Sequence, residues 1–226
     1  MNRGRLRRYG PARRLFNVFA LIALAAAALV PLAAPSTAHA DPVRLLALGD
    51  SLTAGYGLAP EDSFPAQLQS ALRTAGYDVE VINAGVSGDT TAGGLARLDW
   101  SLVDDPDLVL VALGANDGLR GIDPATTRAN LDAILERLTG RGLPVLVAGM
   151  YAPPNLGRAY GEAFNAIFPD LAEKYGAALY PFFLEGIAMV PDLNQDDGIH
   201  PNARGVAVMV DGILPHVEPL VEAVQG

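Results

Sequence analysis

Short runs of apolar residues alternate with amphipathic stretches along most of this chain. Five runs, apolar or rich in β-branched residues, predict buried strands at 44–48, 79–82, 108–113, 145–148 and 178–180. Stretches with helical spacing occupy most of the intervals, at 64–75, 91–98, 123–138, 159–175 and from Pro201 onward, the last interrupted at Pro215. Strands that are apolar throughout and alternate with helices indicate an α/β fold with a parallel sheet covered on both faces.

Segments that carry glycine or polar side chains follow four of the predicted strands, at 49–51, 83–85, 114–117 and 149–151. The carboxyl ends of parallel strands lie at one edge of a sheet, and ligand sites of such folds form just outside that edge. We therefore expect these four segments to meet at a functional site.

The first forty residues have the layout of a secretory signal peptide. Six arginines precede a 13-residue apolar run at 18–30, and Ala38-His39-Ala40 follows as a small-residue cleavage site. The apolar run is shorter than the ~20 residues that a membrane span needs. We expect cleavage before Asp41, with an uncleaved anchor helix as the alternative. Arg13-Arg14 also resembles a twin-arginine signal, so both the general and the twin-arginine export routes stay open.

Composition and charge narrow the function classes. The chain has 226 residues and no cysteine, which excludes a thiol nucleophile, disulfides and cysteine-ligated metals. Residues 41–226 carry ten basic against 25 acidic side chains, and so acidic a body would repel nucleic acid and anionic membrane surfaces. No second long apolar run follows the leader, so we expect a periplasmic or secreted protein without stable membrane insertion. We also expect it to be monomeric.

A serine and a histidine stand out as candidate catalytic groups. Ser51 directly follows the first predicted strand, but a serine hydroxyl is a weak nucleophile that needs a base. Only His200 and His216 remain after leader removal, and Asp197 precedes His200 by three residues. In a turn, this spacing lets the carboxylate hold the imidazole Nδ1–H and leave Nε2 free as a base. His216 has no such partner, and we expect it to be structural.

Acyl transfer also needs donors for a developing oxyanion. The candidates are the backbone N–H groups of Ser51 and Gly85 and the side-chain amide of Asn116. Gly85 could instead be a turn glycine, and Asn116 a turn or cap residue. Ser87 is a rival nucleophile, but Asp89 stands where a G-x-S-x-G elbow has its second glycine.

Four blocks of residues, taken together and in order, resemble the signature of the GDSL, or SGNH, hydrolases: Gly49-Asp50-Ser51-Leu52, Gly85, Gly114-x-Asn116-Asp117 and Asp197-x-x-His200. Segments 114–121, 160–169 and 195–202 are similar to the bacterial thioesterase I, lysophospholipase L1 and arylesterase subgroup. The resemblance covers about 43–221, which indicates a single hydrolase domain over 41–226.

This resemblance implies a flavodoxin-like three-layer α/β/α sandwich, with a five-stranded parallel sheet in the order 2-1-3-4-5. It implies hydrolysis of acyl esters and thioesters, including aryl esters and lysophospholipids, without a cofactor or metal. By the same resemblance Ser51 is the nucleophile, His200 the general base and then acid, and Asp197 the group that orients it. The N–H groups of Ser51 and Gly85 and the amide of Asn116 form the oxyanion hole, while Asp50 is structural.

Apolar and aromatic residues near the edge loops could line an acyl groove or simply pack the loops: Tyr56, Leu119, Ile122, Tyr151, Pro153, Leu156 and Ile199. Three other functions stay open. A carbohydrate O-acetylesterase would keep the triad, an acyl-lipid binding protein would lack turnover, and a metallophosphoesterase would use aspartate and histidine ligands. The scarcity of histidine speaks against the last of these.

Overall fold

The computed structural model describes residue 1 and residues 41–225. The predicted signal peptide over residues 1–40 thus lies, except for Met1, outside the described residues. Within 41–225 no helix is both long and apolar enough to cross a membrane.

Five parallel strands form one sheet: β1 (Val43–Gly49), β2 (Val79–Gly85), β3 (Leu108–Ala112), β4 (Val145–Ala148) and β5 (Ala178–Tyr180). Their order is β2-β1-β3-β4-β5, which confirms the predicted topology. In the register, Leu46 of β1 lies between Ile82 of β2 and Val109 of β3. Residues 45–48 are all buried, because β1 is flanked by strands and covered on both faces.

The helices of the described chain are α1 (Ser51–Ala54), α2 (Phe64–Thr74), α3 (Thr91–Ala96), α4 (Leu98–Ser101), α5 (Ala115–Leu119), α6 (Pro124–Gly140), α7 (Arg158–Asn165), α8 (Ile167–Tyr175) and α9 (Ala203–Gln225). Short 3₁₀ turns lie at Pro60–Asp62, Pro154–Leu156 and Pro191–Leu193. Helix α2 packs against α9, and α6 packs against α3 and α8, so that helical layers enclose the sheet. Buried aliphatic residues of these helices and the strands form the core.

Two helix predictions were wrong, and both errors concern proline. The single helix expected at 159–175 is broken at Ala166 into α7 and α8. Pro169 has no N–H to donate to the carbonyl of Asn165, and it lies in the first turn of α8, where the helix does not need that hydrogen bond.

Pro215, in contrast, does not interrupt the last helix. Helix α9 runs from Ala203 to Gln225 through both Pro215 and Pro219. The two carbonyls that lose their helical donors belong to Asp211 and Pro215, which are exposed residues that water can reach. The opposite face of α9 is buried in the core and holds the helix together.

Candidate active site

Ser51 stands at the carboxyl edge of the sheet, at the sharp turn from β1 into α1. Asp50 caps this helix, since its Oδ1 accepts the N–H of Leu52 at 3.0 Å. The turn needs glycine at position 49, because a Cβ there would collide with the Thr53 side chain and lie 3.0 Å from the Ala112 carbonyl oxygen. Tight packing of the chain around the turn thus fixes the position of the Ser51 backbone.

A folded loop before α9 brings His200 to Ser51. The N–H of Gln195 donates to the carbonyl of His200 at 2.8 Å. The N–H of Gly198 donates to the carbonyl of Gln195 at 2.9 Å. The Oδ1 of Asp197 accepts the N–H groups of Ile199 and His200, both at 3.0 Å. This tight turn directs the Asp197 carboxylate and the His200 ring toward each other.

The three side chains form a continuous chain of hydrogen bonds. The Nδ1 of His200 lies 2.6 Å from Oδ2 of Asp197, and its Nε2 lies 2.9 Å from Oγ of Ser51. The hydrogen bond from His200, together with those from the two backbone N–H groups, lowers the pKa of Asp197 to about 2. Asp197 is therefore ionised at neutral pH and accepts from Nδ1–H, which leaves Nε2 to accept the serine proton.

Tyr56 packs on the ring of His200 and does not line the cavity described below. The two ring centroids are 4.6 Å apart with an interplanar angle of 37°. The side-chain amide of Gln195 donates to the carbonyls of Tyr56 at 2.7 Å and Pro201 at 2.9 Å, which ties the loop after α1 to the His200 loop. In this structure Tyr56 thus supports the imidazole.

The predicted oxyanion donors differ in their surroundings. Asn116 lies in the first turn of α5, and its Nδ2 donates to Oδ2 of Asp50 at 3.3 Å. The N–H of Gly85 instead donates to Oδ1 of Asn83 at 3.0 Å within its own turn. A Cβ on Gly85 would collide with the backbone of Ala54, so close packing of β2 on α1 explains the glycine.

In the loop that follows Gly85, two other N–H groups are also engaged: that of Val86 donates to the Gly49 carbonyl, and that of Asp89 to the Val86 carbonyl. Among residues 86–90, the backbone N–H groups that make no hydrogen bond to described residues are those of Ser87, Gly88 and Thr90, and Thr90 is the residue that caps α3. The sequence interpretation did not consider Gly88. The signal available in the sequence was a second glycine between a predicted strand and a predicted helix, and in the structure Gly88 has a positive φ of 85°.

Asp117, next to Asn116, anchors α5 to two neighbouring helices. This fully buried carboxylate accepts the N–H of Thr91 at 2.9 Å and the hydroxyl of Thr127 at 3.2 Å, and it also accepts the hydroxyl of Thr91. Residues from α3 and α6 thereby hold the helix that carries Asn116.

A cavity of about 360 Å³ opens beside Ser51 and His200. Its walls are mostly apolar side chains, among them Leu119, Met150, Tyr151, Pro153, Pro154, Phe182, Leu184, Ala188, Met189 and Ile199. Four of the predicted groove residues, Leu119, Tyr151, Pro153 and Ile199, are in this lining.

Ile122 and Leu156, also expected in the groove, are not in the lining. The carbonyl of Ile122 accepts the hydroxyl of Tyr160 at 2.8 Å. Leu156 belongs to the 3₁₀ turn Pro154–Leu156, and its side chain lies against Gly121. Leu156 therefore takes part in loop packing, the alternative that the sequence had left open, and Ile122 is held through its backbone by Tyr160.

The sequence interpretation missed the segment at 182–189, which supplies a large part of the cavity wall. Phe182 stacks on Tyr151 with ring centroids 4.6 Å apart. A signal existed, because this segment follows β5, whose carboxyl end lies at the same edge as the other four. Applying the strand-end argument to the fifth strand would have found Phe182 and Leu184.

The remaining candidates lie outside this arrangement. Ser87 is exposed in the loop after β2, while His200 points to Ser51. His216 lies on α9 against Tyr180, with ring centroids 5.1 Å apart. Over residues 41–225 no group of three or more histidine, aspartate or glutamate side chains is arranged to hold a metal ion.

Residues 47–208 match the GDSL-like Lipase/Acylhydrolase family, and the chain belongs to this family. It is 48% identical over 160 residues to the "Arylesterase" of Vibrio mimicus, and this alignment covers 70% of this chain and 80% of the relative. It is also 42% identical over 178 residues to the "Thioesterase 1/protease 1/lysophospholipase L1" of Escherichia coli K12, and this second alignment covers 78% of this chain and 84% of the relative.

Among solved structures, the crystal structure of AlinE4, an SGNH-hydrolase family esterase, aligns with a TM-score of 0.68 and 52% sequence identity. The alignment covers 80% of this chain and 97% of AlinE4. The fold and these relatives together identify the protein as a carboxylic ester hydrolase.

Proposed function

We propose that this hydrolase is an exported serine esterase that cleaves esters and thioesters of apolar acyl groups through Ser51, His200 and Asp197. One observation carries the proposal: Ser51 Oγ lies 2.9 Å from His200 Nε2, whose ring is held by Asp197 at 2.6 Å, beside an apolar cavity. A serine with an aligned, oriented base is the arrangement that nucleophilic acyl transfer requires.

The reaction has two halves. Oγ of Ser51 attacks the acyl carbonyl carbon while Nε2 of His200 takes the hydroxyl proton. The oxyanion accepts hydrogen bonds from the Ser51 N–H and the Asn116 amide, and a free N–H of the 87–88 loop is a further candidate donor. The bond to the leaving alcohol or thiol then breaks, and His200 gives that group its proton. Water attacks the acyl-Ser51 intermediate with the same proton transfers and releases the carboxylic acid.

The cavity walls favour an apolar acyl group. Aliphatic and aromatic side chains bury a hydrocarbon chain favourably but leave sugar hydroxyls without partners. Aryl esters, lysophospholipids and acyl thioesters therefore fit better than acetylated carbohydrates, and relatives named arylesterase and thioesterase/lysophospholipase support the same preference. The aligned base on Ser51 also disfavours a binding protein without turnover, because binding alone needs no base.

The leader supports an extracytoplasmic substrate. Arginines followed by a short apolar run and Ala38-His39-Ala40 direct the protein out of the cytoplasm, by either export route. Acyl-coenzyme A thioesters are cytosolic, so a lysophospholipid or another ester outside the cytoplasm is the better candidate.

Hydrolysis of p-nitrophenyl esters from acetate to palmitate tests the proposal. Ser51→Ala should lower kcat by roughly 10³-fold or more while the circular dichroism spectrum stays unchanged. Ser70→Ala is the matched control, since it removes an exposed serine of α2 that does not line the cavity. A rate that peaks at medium or long chains supports the proposal, and a rate confined to acetate favours the carbohydrate O-acetylesterase. An acyl-enzyme formed once without turnover would indicate the binding protein, and undiminished activity of Ser51→Ala would refute the nucleophile.

A further inference from the structure

The side-chain amide of Asn116 can stabilise an oxyanion with only one of its ends. The NH₂ end donates hydrogen bonds, whereas the carbonyl end would repel a developing negative charge. The two ends have nearly the same shape, so steric fit alone does not choose between them. Some neighbouring group has to fix the orientation of this amide.

Asp50 is that neighbour. Its side chain is almost completely buried, at 1% exposure, and its two oxygens have separate partners. Oδ1 accepts the N–H of Leu52 at 3.0 Å, and Oδ2 accepts Nδ2 of Asn116 at 3.3 Å. An ionised carboxylate can only accept hydrogen bonds, so the NH₂ end of Asn116 must face it.

We propose that Asp50 is a positioning residue of the oxyanion hole, whose carboxylate holds the Asn116 amide with its NH₂ end toward the reacting carbonyl oxygen. One N–H of that group donates to Asp50, and the other is left for the oxyanion. The inference rests on the proposed serine-esterase mechanism. It gives the aspartate a function beyond capping α1.

The cost of this carboxylate supports a functional role. Burial raises the pKa of Asp50 to about 6, although the hydrogen bonds from Leu52 and Asn116 act in the opposite direction. The nearby charges of His200 and Asp117 have smaller, opposing effects. Asparagine or serine would cap α1 without a buried charge, and residues that lower stability in this way are common where function requires them.

The substitution Asp50→Asn separates the two tasks of the side chain. The new amide has one oxygen, and if that oxygen keeps the N–H of Leu52, its NH₂ end faces Asn116. Asn116 must then turn its own carbonyl end toward residue 50 to avoid two opposed donors. The donor at the oxyanion site is lost, although the helix cap and the shape of the side chain are kept.

The test is a double-mutant cycle in the full chain, with Asp50→Asn, Asn116→Ala and the combined variant, measured on one p-nitrophenyl ester. Removing an oxyanion donor costs about 10²–10³-fold in kcat. We expect Asp50→Asn to lower kcat by at least about tenfold with little change in KM, and to add less than about threefold in the Asn116→Ala background. Asp123→Asn is the matched control, because Asp123 caps α6 with the same hydrogen-bond pattern, accepting the N–H of the residue two positions on at 2.9 Å, and does not line the cavity.

The proposal fails if Asp50→Asn retains wild-type kcat, or if the losses of the two single variants multiply in the combined one. Asp50→Ser serves as a second variant if Asp50→Asn does not fold, since serine can cap Leu52 but cannot reach Asn116 in the same way. If Asp50 only capped α1, Asp50→Asn would keep the cap and therefore the wild-type kcat. Should Ser51→Ala remain active, the proposed mechanism itself is wrong. An inactive Ser51→Ala beside a fully active Asp50→Asn would overturn only the role of Asp50.

Discussion

Replacing Asp197 by asparagine gives a sharp test of the histidine's orientation. In the structure Oδ1 of Asp197 accepts two backbone N–H groups, while Oδ2 faces Nδ1 of His200 at 2.6 Å. The two backbone donors would keep the single oxygen of the new asparagine in the Oδ1 position. Its NH₂ group must then face Nδ1, which has to accept the hydrogen bond. His200 consequently carries its proton on Nε2 and cannot take the proton of Ser51.

The expected loss follows from this change of tautomer. A triad with the wrong tautomer loses about 10⁴-fold in kcat when its aspartate is fully buried. The Asp197 side chain is 39% exposed, so water can partly replace the lost interaction, and we expect a loss of roughly 10³-fold, or ~4 kcal/mol of transition-state stabilisation. Because asparagine enforces the wrong tautomer and alanine does not, Asp197→Asn should be at least as damaging as Asp197→Ala.

The assay is steady-state hydrolysis of a p-nitrophenyl ester at pH 8, together with a near-ultraviolet circular dichroism spectrum of each variant. Asp196→Asn is the control, since it makes the same substitution one residue earlier on an exposed side chain. A kcat of Asp197→Asn within about tenfold of wild type would refute the reasoning. So would an alanine variant that is clearly less active than the asparagine variant.

Three further predictions concern stability and processing. Because burial raises the pKa of Asp50 from 3.8 to about 6, the folded state binds this proton more tightly than the unfolded state. The contribution of Asp50 to the free energy of unfolding should therefore fall by up to ~3 kcal/mol between about pH 4 and pH 6. Urea denaturation at several pH values should show this fall in the wild type but not in Asp50→Asn. Parallel pH curves for the two proteins would contradict the prediction. Phe183 is fully buried and packs edge-on against Phe64, with ring centroids 4.9 Å apart. Phe183→Ala should therefore lower the free energy of unfolding by about 3–5 kcal/mol. The control Phe182→Ala should lower it less, because Phe182 is only partly buried. Mass spectrometry of the exported protein should find Asp41 at the N-terminus, and an uncleaved leader would show that the anchor alternative is correct.

Most of the sheet was predictable because the local pattern and the tertiary environment agree. Runs such as 108–112 and 145–148 are apolar on both faces, and such a run is stable only inside a sheet with helices on both sides. The prolines were harder to interpret. Whether Pro215 ends a helix depends on whether its freed carbonyl partner reaches water and whether the rest of the helix is anchored, and neither property is local.

The residues of the candidate site were likewise predictable where their contacts are local and not where the contacts join distant segments. The three-residue spacing of Asp197 and His200 suggested their contact, because a turn can close over so short a distance. The engagement of the Gly85 N–H with Asn83 could not be read from the pattern, since a glycine after a strand suits both a tight turn and an oxyanion donor. Tyr56 likewise looked like a groove residue, but its ring packs on His200.

The order of the strands and helices along the chain, the family signature and the three residues proposed for catalysis could all be inferred from the amino-acid sequence. These features depend on periodicity and on short spacings, which the chain carries locally. The apolar residues that line the cavity, the N–H groups that remain free and the contact of Asp50 with Asn116, 66 residues away, became known only from the three-dimensional structure. The physical reason is that hydrogen bonds and packing depend on distances of a few ångströms between distant segments, and only the assembled sheet sets those distances.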